Sequence, residues 1–300
     1  MSNSKYRGSL IQHFWNYVNN VQIPMSVLEQ TQSKNPTRPP VFVAGEWQRN
    51  LILSPDQSRR ESILQVLKGK HRHRWFPSMT SSQALTWSVF GALEEYGKLP
   101  LLSGIVAEKD FLQRCKCELE YKVNYLGERN PTRVDVMLTS SDYRVAIECK
   151  LSEEKIGPCS RPKKHCDGRY SRQRNRKARC PLSDAVGTKY WQHLAGLTTW
   201  TTEEGINHCP LRQTYQLVRT LLAACTSPDN SSGHCVLLVD ERNPVFQPGG
   251  KGREAFDSLR NGLKNPALLR LVTWQSVMER LRADGSLGWL VNGLQQKYGL

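Results

Sequence analysis

Two short runs of alternating side chains constrain this 300-residue chain more than any other feature. In Arg133-Val-Asp135-Val-Met-Leu-Thr139, the residues Val134, Val136 and Leu138 alternate with mostly polar positions. In Arg144-Val-Ala-Ile-Glu148-Cys-Lys150, the residues Val145, Ile147 and Cys149 do the same. A period of two marks a half-buried strand. With Ser141-Asp142 as the turn, opposed residues have numbers that sum to 283, so Val136 faces Ile147 and Leu138 faces Val145. The apolar faces then match, and a slip of one residue would destroy the match.

The same register sets Asp135 opposite Glu148, with Lys150 two residues further along that face. Opposed Cβ atoms lie about 4.5–5.5 Å apart, close enough for two carboxylates to share one divalent cation. Two unneutralised acids in that position cost stability, and a hard cation with oxygen ligands removes the cost. The plainer reading of the trio is an ion-pair cluster on a solvent-facing sheet.

Charge points toward a polyanionic partner. The chain holds 42 Lys+Arg against 27 Asp+Glu, a net +15, and such an excess suits nucleic acid, whose bound counterions are released on contact. Ten basic residues and one acid fall within 155–180, a local +9. That stretch lacks periodicity and is poor in apolar side chains, so it cannot build a core of its own. Arg169, Arg172, Arg174, Arg176 and Lys177 alternate there with small polar residues, a pattern suited to phosphate contacts, although a solvated loop would read the same way. On the helix expected after it, Arg212, Gln216 and Arg219 share a face apart from the stripe of Leu211, Val218 and Leu222, and are further contact candidates.

Cys159, Cys166 and Cys180 lie in this basic segment and Cys209 follows it, with spacings of 6, 13 and 28 residues. Four thiolates suit zinc or an iron–sulfur cluster, which would supply the ordering that apolar burial cannot. His165 and His208 adjoin two of them as alternative ligands. Unlinked thiols in a basic loop are the plainer reading. The nine cysteines are an odd number, and the N-terminus lacks the apolar core of an export signal. Thiols or metal ligands in the cytoplasm are therefore expected, not a disulfide frame. The longest apolar run, near Val236–Val239, is far short of the roughly 20 residues that span a bilayer.

Periodicity predicts helices over about 8–20, Ser58–Lys68 and Ser81–Tyr96. Strands are expected at Cys115–Tyr125, Arg133–Thr139 and Tyr143–Leu151. A helix at Leu211–Cys225, a strand at Cys235–Asp240, a helix near Glu254–Leu263, a strand at Leu269–Thr273 and a helix from Trp274 complete the order. Ser33–Pro40 reads as a linker, and His71-Arg72-His73-Arg74-Trp75-Phe76 is a basic-aromatic segment. This succession is that of an α/β sandwich.

Asp135, twelve residues, then Glu148-Cys149-Lys150, on a hairpin preceded by a helix and followed by a helix and strand, resembles the PD-(D/E)XK nuclease superfamily, the fold of many restriction endonucleases. Ser81-Ser82-Gln83-Ala84 with Phe90-Gly91, and Cys180-Pro181-Leu182 leading to Tyr190-Trp191, resemble a bacterial restriction-endonuclease branch with a cysteine-bearing insertion. Val134 stands where the superfamily name has proline. The resemblance implies an αβββαβ core with a mixed central sheet flanked by helices over 79–300, interrupted by the insertion at 155–209 and preceded by a helical extension over 1–78. It implies Mg²⁺-dependent hydrolysis of DNA, with Asp135 and Glu148 holding the metal and Lys150 steadying the attacking water or the charge growing on phosphate. A further acid usually comes from the first core helix; Glu94 is the first candidate, with Glu95 and Glu120 as alternatives. Double-strand cutters often pair, which leaves a homodimer open. Two rivals stand beside this reading: a nucleic-acid-binding protein that keeps the fold without catalysis, and a metal-binding regulatory module.

Overall fold

A computed structural model describes residues 2–29, 37–128, 130–159, 166, 180, 190–200, 209–226, 229 and 232–300. Five strands, β1 (Lys116–Val123), β2 (Thr132–Thr139), β3 (Tyr143–Cys149), β4 (Ser232–Val239) and β5 (Leu269–Thr273), form one sheet in sequence order. The β1–β2 and β2–β3 pairs are antiparallel, and β3–β4 and β4–β5 are parallel. The hairpin adopts the expected register, with Val136 opposite Ile147 and Leu138 opposite Val145.

Helices cover both faces. Helix α1 (Asn3–Asn20), α2 (Gln57–Lys68), α3 (Ser82–Glu95) and α4 (Lys109–Arg114) precede the sheet; α5 (Tyr190–Leu197) and α6 (Leu211–Cys225) fall between β3 and β4; α7 (Lys251–Asn261), α8 (Trp274–Asp284) and α9 (Gly288–Tyr298) follow. One core joins α1, α2, α3, α8 and α9 to Val145, Ile147, Cys149, Val236 and Leu238. The other joins α5, α6 and α7 to Ala146, Cys235, Leu237 and Val239. β3 and β4 are thus buried on both sides, as parallel strands with helical crossovers must be, and β3 is not the half-buried strand that its alternation suggests. The expected helix from Trp274 is two helices, broken after Asp284 where Gly285 takes φ +71°.

Residues 2–29 and 37–78 feed the first core. The Phe14 ring meets Tyr298 edge-on at 5.7 Å, and buried Phe76 lies 4.7 Å from Trp87 of α3. Helix α3, capped by the Ser81 hydroxyl on the Ala84 N–H, is buried along nearly its whole length.

The β1–β2 ribbon changes faces partway along. Leu119 and Val136 pack into the first core, whereas Tyr121, Val123 and Val134 pack against the second. Val134 therefore does not share a face with Val136, as a strict period of two would require. The switch falls at Glu120 and Asp135, which the β1–β2 register sets opposite one another. Glu120 has φ +53°, a left-handed backbone that non-glycine residues seldom adopt inside a strand. Such strain persists only where the surroundings over-determine it, and it gathers at functional sites.

Candidate active site

The pairs Leu119–Val136 and Tyr121–Val134 bracket Glu120 of β1 and Asp135 of β2, and the β2–β3 pairing continued one residue past Val136–Ile147 brings Asp135 level with Glu148 of β3, so three acids fall in a row. Asp135 Oδ2 accepts the Cys149 N–H at 2.8 Å. A side chain here replaces a backbone rung, and the β2–β3 ladder ends at Val136 and Ile147. Glu148 is 1% exposed. Its Oε1 accepts from Gln216 Nε2 at 2.6 Å and pairs with Lys150 Nζ at 2.9 Å, and its Oε2 accepts from Thr220 Oγ1 at 3.0 Å. Lys150 Nζ also donates to Gln216 Oε1 at 3.0 Å. The Lys150 backbone is held on both sides, its N–H by Leu238 O at 2.7 Å and its C=O by Trp274 Nε1 at 3.0 Å. An ammonium group so enclosed is positioned before any substrate arrives.

Burial, then Glu148 and Glu120, raise the Asp135 carboxyl well above the usual range, against the lowering pull of Lys150 and the Cys149 N–H. Burial pushes Glu120 up to about 7, with Glu148 adding to the rise and Gln83 and Arg133 opposing it. Lys150 moves the other way from what burial favours: Glu148, Glu153 and Asp135 together outweigh desolvation and hold it as a cation. Lys150 is the cation that offsets this cluster of acids, pairing with Glu148 and pulling the Asp135 carboxyl down.

These residues line a cleft of about 1030 Å³. Gln216 and Arg219 of α6 reach it, as do Arg7, Arg38, His71, His73 and Trp75 from the N-terminal part of the chain. Arg219 pairs with Glu128 at 3.2 Å and lies over the Tyr215 ring at 5.2 Å. Arg212 faces elsewhere, lining a separate cavity of about 450 Å³ with Cys159, Cys166 and Cys209. Glu94 does not reach the carboxylate cleft: it lies at the far end of α3, in a cavity with Lys116 and Cys117. Glu95 accepts from the Ser62 hydroxyl at 2.7 Å. Of the three alternatives for a further acid, Glu120 is the one beside Asp135.

In the cysteine cavity, the Cys159 N–H donates to Arg212 O at 3.0 Å and the Arg212 N–H to Cys209 O at 3.1 Å, which ties the start of the basic segment to the start of α6. Burial pushes the Cys209 thiol up to about 12, and Cys180, Cys166 and Cys159 each add to the rise. Cys159, Cys166 and Cys209 share the lining of this cavity. Arg169, Arg172, Arg174, Arg176, Lys177, His165 and His208 fall outside the described residues. Among the described residues, no group of three or more His, Cys, Asp or Glu is disposed around a common point as a metal would need. At the carboxylates the reason is visible: Glu148 spends both oxygens on Lys150, Gln216 and Thr220.

Several contributors were not singled out from the sequence. Thr220 follows Gln216 by one helical turn, so the spacing was a usable signal. Glu153 accepts the Leu151 N–H at 2.6 Å and the Ser82 hydroxyl at 2.6 Å, linking the lysine strand to α3. Gln83 accepts from the His73 N–H at 2.9 Å and donates to His71 O at 3.0 Å. Nothing in a local pattern announces contacts of this range.

A mixed sheet flanked by helices, with an antiparallel hairpin that offers acids and a lysine at a charged cleft, is the restriction-endonuclease-like class. A family model described as "Restriction Endonuclease associating with ARP" matches residues 28–299, and the chain belongs to that family. No curated protein and no solved structure shows a significant match. Among the described residues, no helix is long and apolar enough to cross a membrane.

Proposed function

We propose that this protein is a Mg²⁺-dependent deoxyribonuclease whose centre is Asp135, Glu148, Lys150 and Glu120. The observation that carries the reading is the row of three acids with a buried lysine at the end of the hairpin. The donors are all oxygen, as a hard cation prefers: burial, with the neighbouring carboxylates adding to it, raises Asp135 and Glu120, and Glu148 would exchange part of its bonding to Lys150, Gln216 and Thr220 for the metal. Mg²⁺ held by Asp135, Glu148 and Glu120 would polarise the scissile phosphate and lower the pKa of a water.

The chain's own residues do the rest. Lys150, fixed by Leu238 and Trp274, presents its charge where negative charge grows on the phosphate in the transition state. Gln216 and Thr220 fix the Glu148 rotamer, so the carboxylate need not be ordered when substrate binds. Gln216 also holds Lys150 and thus keeps the carboxylate and the ammonium at a set spacing. Arg219, Arg38 and Arg133 line the cleft where a phosphate backbone would lie. Supercoiled plasmid with Mg²⁺ tests the reading: nicked or linear product is expected, EDTA abolishes it, and Glu120→Gln impairs it where Glu94→Gln does not. Equal activity of Glu120→Gln and wild type would remove Glu120 from the centre.

A second component is a metal on Cys159, Cys166, Cys180 and Cys209, either zinc or an iron–sulfur cluster, that orders the basic insertion against α6. What favours it is the cavity shared by Cys159, Cys166 and Cys209, with Cys180 acting on Cys209. Soft sulfur ligands select those metals, and a cation there would reverse the protonation that burial imposes on Cys209. Anaerobically purified protein is expected to carry stoichiometric zinc or iron, lost in Cys166→Ser. Protein free of both metals would refute this component and leave the carboxylate centre untouched.

A further inference from the structure

The basic-aromatic segment 71–76 forms one wall of the cleft, and its chemistry is not used by the metal centre. We propose that Trp75 is a stacking platform for an unpaired base, so that this site, read as a nuclease centre, takes DNA that carries a single-stranded stretch.

Trp75 is 54% exposed, the one aromatic side chain among the exposed large hydrophobics of the described residues. It lines the same cleft as Asp135 and Glu148. Its exposure does not come from a loose backbone. Phe76 next to it is fully buried, and its N–H donates to His73 O at 2.8 Å. The Ser78 N–H donates to Trp75 O at 3.0 Å, and the Trp75 N–H to His73 Nδ1 at 3.3 Å. The Gln83 amide clamps the start of the segment through His71 and His73.

An indole held open to water beside a positively lined cleft has a large apolar face with nothing apolar on it. The Arg74 guanidinium lies 4.7 Å from the ring centroid, as in the arginine-supported aromatic faces on which bases stack. Exposed Arg38 and Arg133 border the same cleft and supply charge for the backbone. Inside a duplex every base face is already stacked on its neighbour. A ring in this position can be used only by a base that is unpaired or splayed out.

The test is fluorescence anisotropy with a labelled single-stranded oligonucleotide and with its duplex, in EDTA so that nothing is cut. Stacking is worth about 5-fold to 150-fold in affinity per base. Trp75→Ala is expected to weaken single-strand binding about tenfold and duplex binding less than twofold, while Trp75→Phe stays within about threefold of wild type on both. Should Trp75→Ala fail to fold, Trp75→Leu, which keeps bulk but cannot stack, is compared with Trp75→Phe on the same two probes. Equal losses on both probes, or no loss on either, overturn the proposal. Cleavage plays no part in this measurement, so strand selectivity in a protein that cuts nothing would uphold the platform and refute the nuclease. A protein that cuts, yet shows no Trp75-dependent preference, would do the reverse.

Discussion

Replacing Gly157 with alanine adds one methyl group, no charge and no hydrogen-bonding atom, yet it should disable the centre. Gly157 has φ +119°, and a Cβ built there would lie 2.2 Å from Gln216 Oε1 and 2.5 Å from Gln216 Cβ. The Gly157 carbonyl also accepts the Gln216 N–H at 3.0 Å, so the two segments cannot simply part. Gln216 must shift, and with it go the bonds to Glu148 at 2.6 Å and Lys150 at 3.0 Å. Backbone strain costs about 1–3 kcal/mol, and each hydrogen bond to a charged group about 1.5–3 kcal/mol. Glu148 and Lys150 keep each other, and Thr220 keeps Glu148, so the total belongs near the low end, roughly 3–5 kcal/mol. Urea unfolding followed by circular dichroism reads that loss as a lower midpoint at unchanged slope. In the fraction that folds, misplacement of the acid and lysine by about 1 Å should slow plasmid cleavage about 100-fold. A Gly157→Ala protein within about 0.5 kcal/mol of wild type would refute the close approach on which this rests.

Two further substitutions probe different parts of the molecule. Thr220→Val removes the hydroxyl from Glu148 Oε2 and should cost about 1.5–3 kcal/mol, whereas Thr220→Ser should keep most of both stability and cleavage; equal unfolding midpoints for valine and serine would contradict this. His234 is 1% exposed, bonded to Val106 O at 2.8 Å and the Tyr143 hydroxyl at 2.9 Å, and burial followed by Arg270 lowers its pKa to about 4. The unfolded chain therefore takes up this proton first as pH falls, so stability is full above about 6.5, drops through the range down to about 4 and then levels off, by about 3 kcal/mol in all. Urea midpoints at pH 7.5 and 5.0 check this, and His234→Gln should lose much of the difference between them.

How much of this could be read from the sequence depended on the range of the interactions. The hairpin register was legible because apolar alternation and turn length are local, and the helix Leu211–Cys225 and strand Leu269–Thr273 fall where periodicity sets them. Lys150 and Glu148 followed from that register. The face switch at Glu120 did not, because a left-handed residue inside a strand carries no sequence mark when it is not glycine. Glu94 misses the cleft for a different reason: it stands at the far end of α3, beside Lys116 and Cys117. The wall formed by His71, His73 and Trp75 depends on contacts with Gln83 and on packing of Phe76 against Trp87 of α3, which connect parts of the chain that no local pattern relates. Burial of both sheet faces was hidden for a related reason: Glu148 and Lys150 interrupt the apolar run that a doubly covered strand normally shows.

Cleavage of supercoiled plasmid by wild type and Glu148→Ala, each with Mg²⁺ and each shown by circular dichroism to be folded, tests the central claim most directly. Wild type should nick or linearise the plasmid and Glu148→Ala should leave it supercoiled, a loss of at least about 1,000-fold. A folded Glu148→Ala protein that cuts as fast as wild type would contradict the assignment of this cleft as the active site.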